Sequence, residues 1–205
     1  MGTLRISGII ELNQFWPQSS CDADTTKMKL VVGDNSFEYR EDGAAVFKKT
    51  MAFKNAVSKG QGTKPVINTS VRTGDKTITI RLQGVDAPEL HYQAAALKAN
   101  PAISSAQRKK YNELNRIEKR QHFAESATVA LMKHLKKFAQ NGAVAVWFES
   151  EVDKPFEVVD TYGRFVGDII IGKESLNLWL LENGWCMPTF YTSMKKEEIE
   201  NFLAA

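Results

Sequence analysis

The sequence predicts a mainly β domain with appended helices, an α+β chain, and three observations carry that prediction. Residues 77–82 read Thr-Ile-Thr-Ile-Arg-Leu, strict polar–apolar alternation that sets Ile78, Ile80 and Leu82 on one face and Arg81 on the other. Two further apolar runs, 143–148 and 165–171, are bounded by glycine and asparagine turns, as strands are. Ahead of them, Ala127, Leu131, Leu135 and Phe138 recur at helical spacing and Asn141-Gly142 ends the pattern, so 126–138 is predicted to be a helix.

The remaining elements follow in order. Residues 5–12 alternate, with Ile6, Ile9 and Leu12 apolar, and form a first strand; 13–20, holding Pro17 and two serines, is loop. Residues 27–32 make a second strand entered past Asp22 and Asp24, and 37–40 is expected to return from it as a hairpin across Gly33-Asp34-Asn35. From 41 to 60 the pattern suggests a helix with Phe47, Met51 and Val57 inward and Lys48, Lys49, Lys54 and Lys59 outward; 60–74 reads as exposed loop. Residues 90–121 carry no strand signal. Pro101 breaks them, Ser104 or Ser105 caps a helix, and Arg108, Lys109, Lys110, Arg116, Lys119 and Arg120 make this the most basic stretch. Such a helix suits phosphate contacts and a merely soluble surface equally well. Residues 157–159 are expected to be a short strand, Asp160-Thr161-Tyr162-Gly163-Arg164 a hairpin turn, 176–183 a short helix stopped by Gly184, and 195–203 a last amphipathic helix.

Composition bounds the function. At 205 residues, with 43% hydrophobic and 25% charged residues, the chain fits a single domain over 1–205 with a proper core. A net charge of +3 permits an anionic partner without demanding one. The two cysteines, Cys21 and Cys186, are too few for a disulfide framework and lack zinc spacing, and whether they pair is open from sequence. No apolar run is long enough to span a bilayer, and residues 1–20 lack the pattern of a signal peptide. His91, His122 and His134 have no acid or cysteine at ligand spacing; His134 is expected on the exposed lysine side of its helix, and a histidine-based mechanism is not expected.

The chemistry concentrates at Arg81-Leu82-Gln83-Gly84-Val85-Asp86-Ala87-Pro88-Glu89, where a strand exits past an arginine and two acids. Asp86 and Glu89 have the spacing of a helix cap, which would need no function. Weighed together with Asp22 and Asp24 at a strand entry, and Tyr162 and Arg164 at a hairpin, they supply an inventory for phosphodiester hydrolysis. That reaction needs a positive clamp on the phosphate oxygens, carboxylates for a hard cation, and a base for water.

These three segments, in this order, resemble the motifs of the staphylococcal nuclease (thermonuclease) family, and the similarity continues through the helices at 126–138 and 176–184. The resemblance implies an OB-fold five-stranded barrel, with two insertions at about 41–74 and 90–120 lying beyond it. It implies Ca²⁺ held by Asp24, Asp86 and the main-chain carbonyl of Ala87. It assigns Glu89 as base or water-orienting group, Arg81 and Arg164 as the phosphate grip, Tyr162 as a phosphate hydrogen-bond donor, and Phe190 or Tyr191 as the surface that stacks a base. Ala87 replaces the threonine of the family's type member. The implied activity is calcium-dependent cleavage of DNA and RNA, chiefly single-stranded, by a monomer without a membrane, leaving 3′-phosphates, with secretion or a periplasmic location suggested by family likeness. The alternatives are a non-catalytic OB-type module that binds nucleic acid or protein and, more remotely, a small-molecule phosphodiesterase.

Overall fold

The computed structural model describes the chain except residues 1, 20, 32–35, 53–76, 92–100, 115–116, 154, 161 and 192–193. Five strands close on themselves: β1 (Gly2–Glu11), β2 (Thr25–Leu30), β5 (Thr77–Leu82), β8 (Phe165–Ile171) and β7 (Ala143–Val152). The circuit runs β1–β2–β5–β8–β7 and back to β1, antiparallel everywhere except β5 against β8. Each strand buries alternate residues, so Leu4, Ile6, Ile10, Met28, Ile78, Ile80, Leu82, Phe148, Phe165 and Ile169 fill the interior. Phe148 and Phe165 meet edge to face at 5.9 Å in that core. Closure depends on Gly8, because a Cβ there would fall onto the Met28 side chain where β1 crosses β2.

Four helices lie outside the barrel among the described residues: α1 (Ser105–Leu114), α2 (Ile117–Lys136), α3 (Leu176–Glu182) and α4 (Lys196–Ala204). Ser104 caps α1, its hydroxyl accepting from Gln107 N–H at 3.2 Å while the Gln107 side chain accepts from Ser104 N–H at 2.9 Å. On α2, Ala127, Leu131 and Leu135 are fully buried, as their spacing requires. Ser175 caps α3 through Leu178 N–H at 3.1 Å.

Several expectations are corrected. Residues 48–52, read as part of a helix, form β4 (Lys48–Ala52), which pairs with β3 (Ser36–Glu41); Val57 and the 60–74 loop lie outside the described residues. Phe47 packs not inward but under two guanidinium groups, those of Arg5 at 3.8 Å and Arg40 at 4.6 Å. Nor does β3 return along β2: both edges of β2 are taken by β1 and β5, so β3 pairs with the N-terminal half of β1. Residues 155–158 are a 3₁₀ turn rather than a strand. Helix α2 begins well before residue 126, and Phe138 lies beyond its end, 41% exposed. His134 is buried instead of exposed, stacked on Trp179 at 4.0 Å with Nε2 2.9 Å from Glu174 Oε1. Burial pushes its pKa down, and the Glu174 carboxylate opposes that shift.

Gly84 turns the chain from β5 into β6 (Val85–Asp86) at φ +76°, and a Cβ there would strike the Phe202 ring of α4. Gly84→Ala therefore combines a left-handed backbone penalty with overpacking, and lowers stability by about 2–3 kcal/mol, read as a reduced denaturation midpoint.

Candidate nucleic-acid site

The turn after β5 is held from two sides. Asn177 of α3, fully buried, donates through Nδ2 to the carbonyls of Gln83 at 2.7 Å and Gly167 at 3.2 Å. Past the short strand β9 (Glu174–Ser175), which pairs with β8, strand β10 (Met187–Pro188) pairs with β6, setting Met187 opposite Asp86, and Thr189 N–H reaches Gly84 O at 2.9 Å. The segment 86–89 thus does not start a helix, contrary to its capping pattern. Carboxylates from the β2 entry take its amides: Ala87 N–H donates to Asp24 Oδ2 at 2.7 Å, and Leu90 N–H to Asp22 Oδ1 at 2.8 Å.

Asp24 is 2% exposed, and its Oδ1 also accepts from Thr25 Oγ1 at 3.0 Å. Thr25 and Arg81 are register partners across β2 and β5, so the Arg81 guanidinium arrives directly at this carboxylate. Its other arm reaches Asp86 Oδ1 at 2.7 Å, making Arg81 a bridge between the two acids. Burial raises the Asp24 pKa, with the Arg81 charge and the Ala87 and Thr25 hydrogen bonds pulling it back. The pKa of Glu89 is raised, by burial first and then by the charges of Asp22 and Asp24. Cys186 is buried, its thiol pushed up to about 12 by burial and by the Asp24 charge. Both cysteines are free thiols.

On its other side Arg81 lines an open groove of about 450 Å³ with Arg164, Tyr162, Tyr191 and Lys195. Arg164 stands there because Asp160 organises the hairpin: its Oδ1 accepts from Tyr162 N–H at 2.9 Å and Arg164 N–H at 2.8 Å, and its Oδ2 from Arg164 Nε at 2.8 Å. The Tyr162 ring, 80% exposed, lies 5.2 Å from the Arg164 guanidinium. Lys195 is paired with Glu151 at 3.0 Å. Arg81 is therefore shared between the carboxylate cluster (Asp24, Asp86) and the groove (Arg164, Tyr162, Tyr191). Phe190, the other aromatic expected to stack a base, is exposed but does not line the groove. Sequence reasoning passed over Asp160 and Asn177 as site-builders and Lys195 as a groove cation. Only Asp160 had a signal, an acid two and four residues before Tyr162 and Arg164.

The donor chemistry suits a hard cation, since Asp24, Asp86 and the Ala87 carbonyl are all oxygen ligands. Among the described residues no three acids, histidines or cysteines form a ready cage, so such an ion would complete its shell from main chain and water.

Behind the groove, Asp168 on β8 accepts hydrogen bonds from Ile169 N–H at 2.7 Å and Asn177 N–H at 3.3 Å. Burial outweighs them and pushes its pKa up to about 6. A carboxyl raised above its unfolded value stabilises the fold below pH 4 and loses that contribution as pH rises to 6, by up to about 3 kcal/mol. Denaturation across pH 4–7 is expected to show this decline in the native protein and a flatter profile in Asp168→Asn.

A family model described as staphylococcal nuclease homologue matches residues 79–205. No curated protein matches the chain. Over half of the sequence is covered, including most of β5, the Asp86–Glu89 segment, the Tyr162–Arg164 hairpin and α3. The chain belongs to the staphylococcal nuclease homologue family, and its function is accordingly one concerned with nucleic acid.

Proposed function

We propose that the protein is a calcium-dependent nuclease that hydrolyses phosphodiester bonds of single-stranded DNA and RNA with little sequence preference, acting as a monomer. The observation that carries this reading is Arg81, which touches both candidate metal carboxylates and lines the same groove as Arg164. Asp24, Asp86 and the Ala87 carbonyl would hold Ca²⁺. When bound, the ion supplies positive charge against the charge that builds on the phosphate oxygens.

The chain's own groups do the rest. Arg81 and Arg164 grip the non-bridging oxygens, and Tyr162 donates a hydrogen bond to one of them. Glu89 accepts a proton from the attacking water, and its raised pKa makes it a stronger base than a solvated glutamate. Water forms the new bond to phosphorus as the bond to the 5′-oxygen breaks and that oxygen takes a proton from solvent, leaving a 3′-phosphate and a 5′-hydroxyl. Tyr191 stacks an unpaired base, which favours single strands.

The test incubates the protein with denatured DNA in calcium or in chelator. Shortening in calcium alone, abolished in Glu89→Gln, is the expected result. Binding without shortening overturns the hydrolytic reading and supports a binding module instead.

A further inference from the structure

Exposed apolar side chains lie next to Asp86 along the β10 segment. Met187 stands opposite Asp86 in the β6–β10 ladder and is 75% exposed, whereas its neighbour Cys186 is buried. Trp185, two residues before Met187, is half-buried, and its ring lies 6.3 Å from that of Phe123, inclined at 49°. Phe123 is 49% exposed on α2. Phe123, Trp185 and Met187 are absent from the groove lining. Arg81 thus shares the groove with Tyr162 and Tyr191 and, through its ion pair with Asp86, adjoins the residue that faces Met187.

We propose that Phe123, Trp185 and Met187 form a second nucleobase subsite on the Asp86 side of the phosphate, holding an unpaired base of a single-stranded nucleic acid. The inference rests on the preceding reading that the groove takes a polynucleotide. Two tilted aromatic rings and a thioether offer stacking and sulfur–aromatic contacts to any base without reading its edge. The strip is continuous with the carboxylate cluster through the Met187–Asp86 pairing, so a chain crossing Arg81 meets it next. Three side chains fall far short of the area a stable protein partner needs, roughly 800 Å² on each side, whereas they match a single base.

The probe is a fluorescent twelve-nucleotide single strand, with its duplex as comparison, titrated in chelator so that binding alone is read. The double variant Phe123→Ser and Met187→Ser is expected to bind the single strand roughly 5- to 100-fold more weakly, the loss of stacking on one base, with duplex binding little changed. Met187→Ser alone, at the most exposed position, shifts affinity in the same direction and serves if the double variant fails to fold. Unchanged single-strand affinity in these variants, with Arg164→Ala still weakening it, overturns the subsite and leaves the nuclease reading intact. Failure of the native protein to bind the single strand at all overturns both. A native dimer in sedimentation that dissociates in the double variant also overturns the subsite, since a second copy would then cover the strip.

Discussion

Arg164→Ala is expected to slow calcium-dependent shortening of denatured DNA by about 10²- to 10³-fold, the usual consequence of removing one charge-stabilising donor. The loss should appear in the maximal rate at saturating DNA more than in affinity, because the grip matters most when charge has built up on the phosphate oxygens. The fold should survive. Asp160 still accepts the amides of Tyr162 and residue 164 after the guanidinium is gone, so the hairpin keeps its shape. An unchanged melting temperature with a collapsed rate supports the assignment; an unchanged rate removes Arg164 from the site.

Arg81→Met has the largest expected effect on stability. It leaves Asp24, 2% exposed, without the only cation that bridges it among the described residues. Breaking a buried pair from one side costs about 3–5 kcal/mol, and the raised pKa of Asp24 puts the expected loss at the lower end of that range. Because the guanidinium and a calcium ion would seek the same two carboxylates, calcium should raise the melting temperature of Arg81→Met more than that of the native protein. Equal calcium shifts in the two proteins would show that Arg81 and the ion do not compete.

Strand β5 was legible because alternation reports which face is buried, and one strand needs only itself to show it. The same holds for β8, α3 and the Asp160–Arg164 turn, where short-range chemistry settles the conformation. The helix expected from residue 41 failed over the described residues 41–52 for the opposite reason. Lysines spaced along a helix and lysines on a strand at the barrel's edge look alike, and β4 exists because β3 offers it a ladder. The capping pattern at Asp86 and Glu89 misled in a similar way, since Asp22 and Asp24, more than sixty residues earlier, bond the amides of Ala87 and Leu90. His134 sits among lysines in sequence, and only the packing of α3 and of the residues just before it supplies Trp179 and Glu174 as neighbours.

From the order of residues alone came the family, the β-rich architecture and the inventory of acids and arginines, because these are properties of short motifs and local periodicity. Whether that inventory makes one site rested on barrel closure. The β2–β5 register carries Asp24, which lies before the matched segment, to Arg81, and the parallel β5–β8 pairing brings the strand that follows Arg164 alongside β5. Contacts of that kind are paid for by the whole core rather than by the residues that make them, so no local pattern could have announced them.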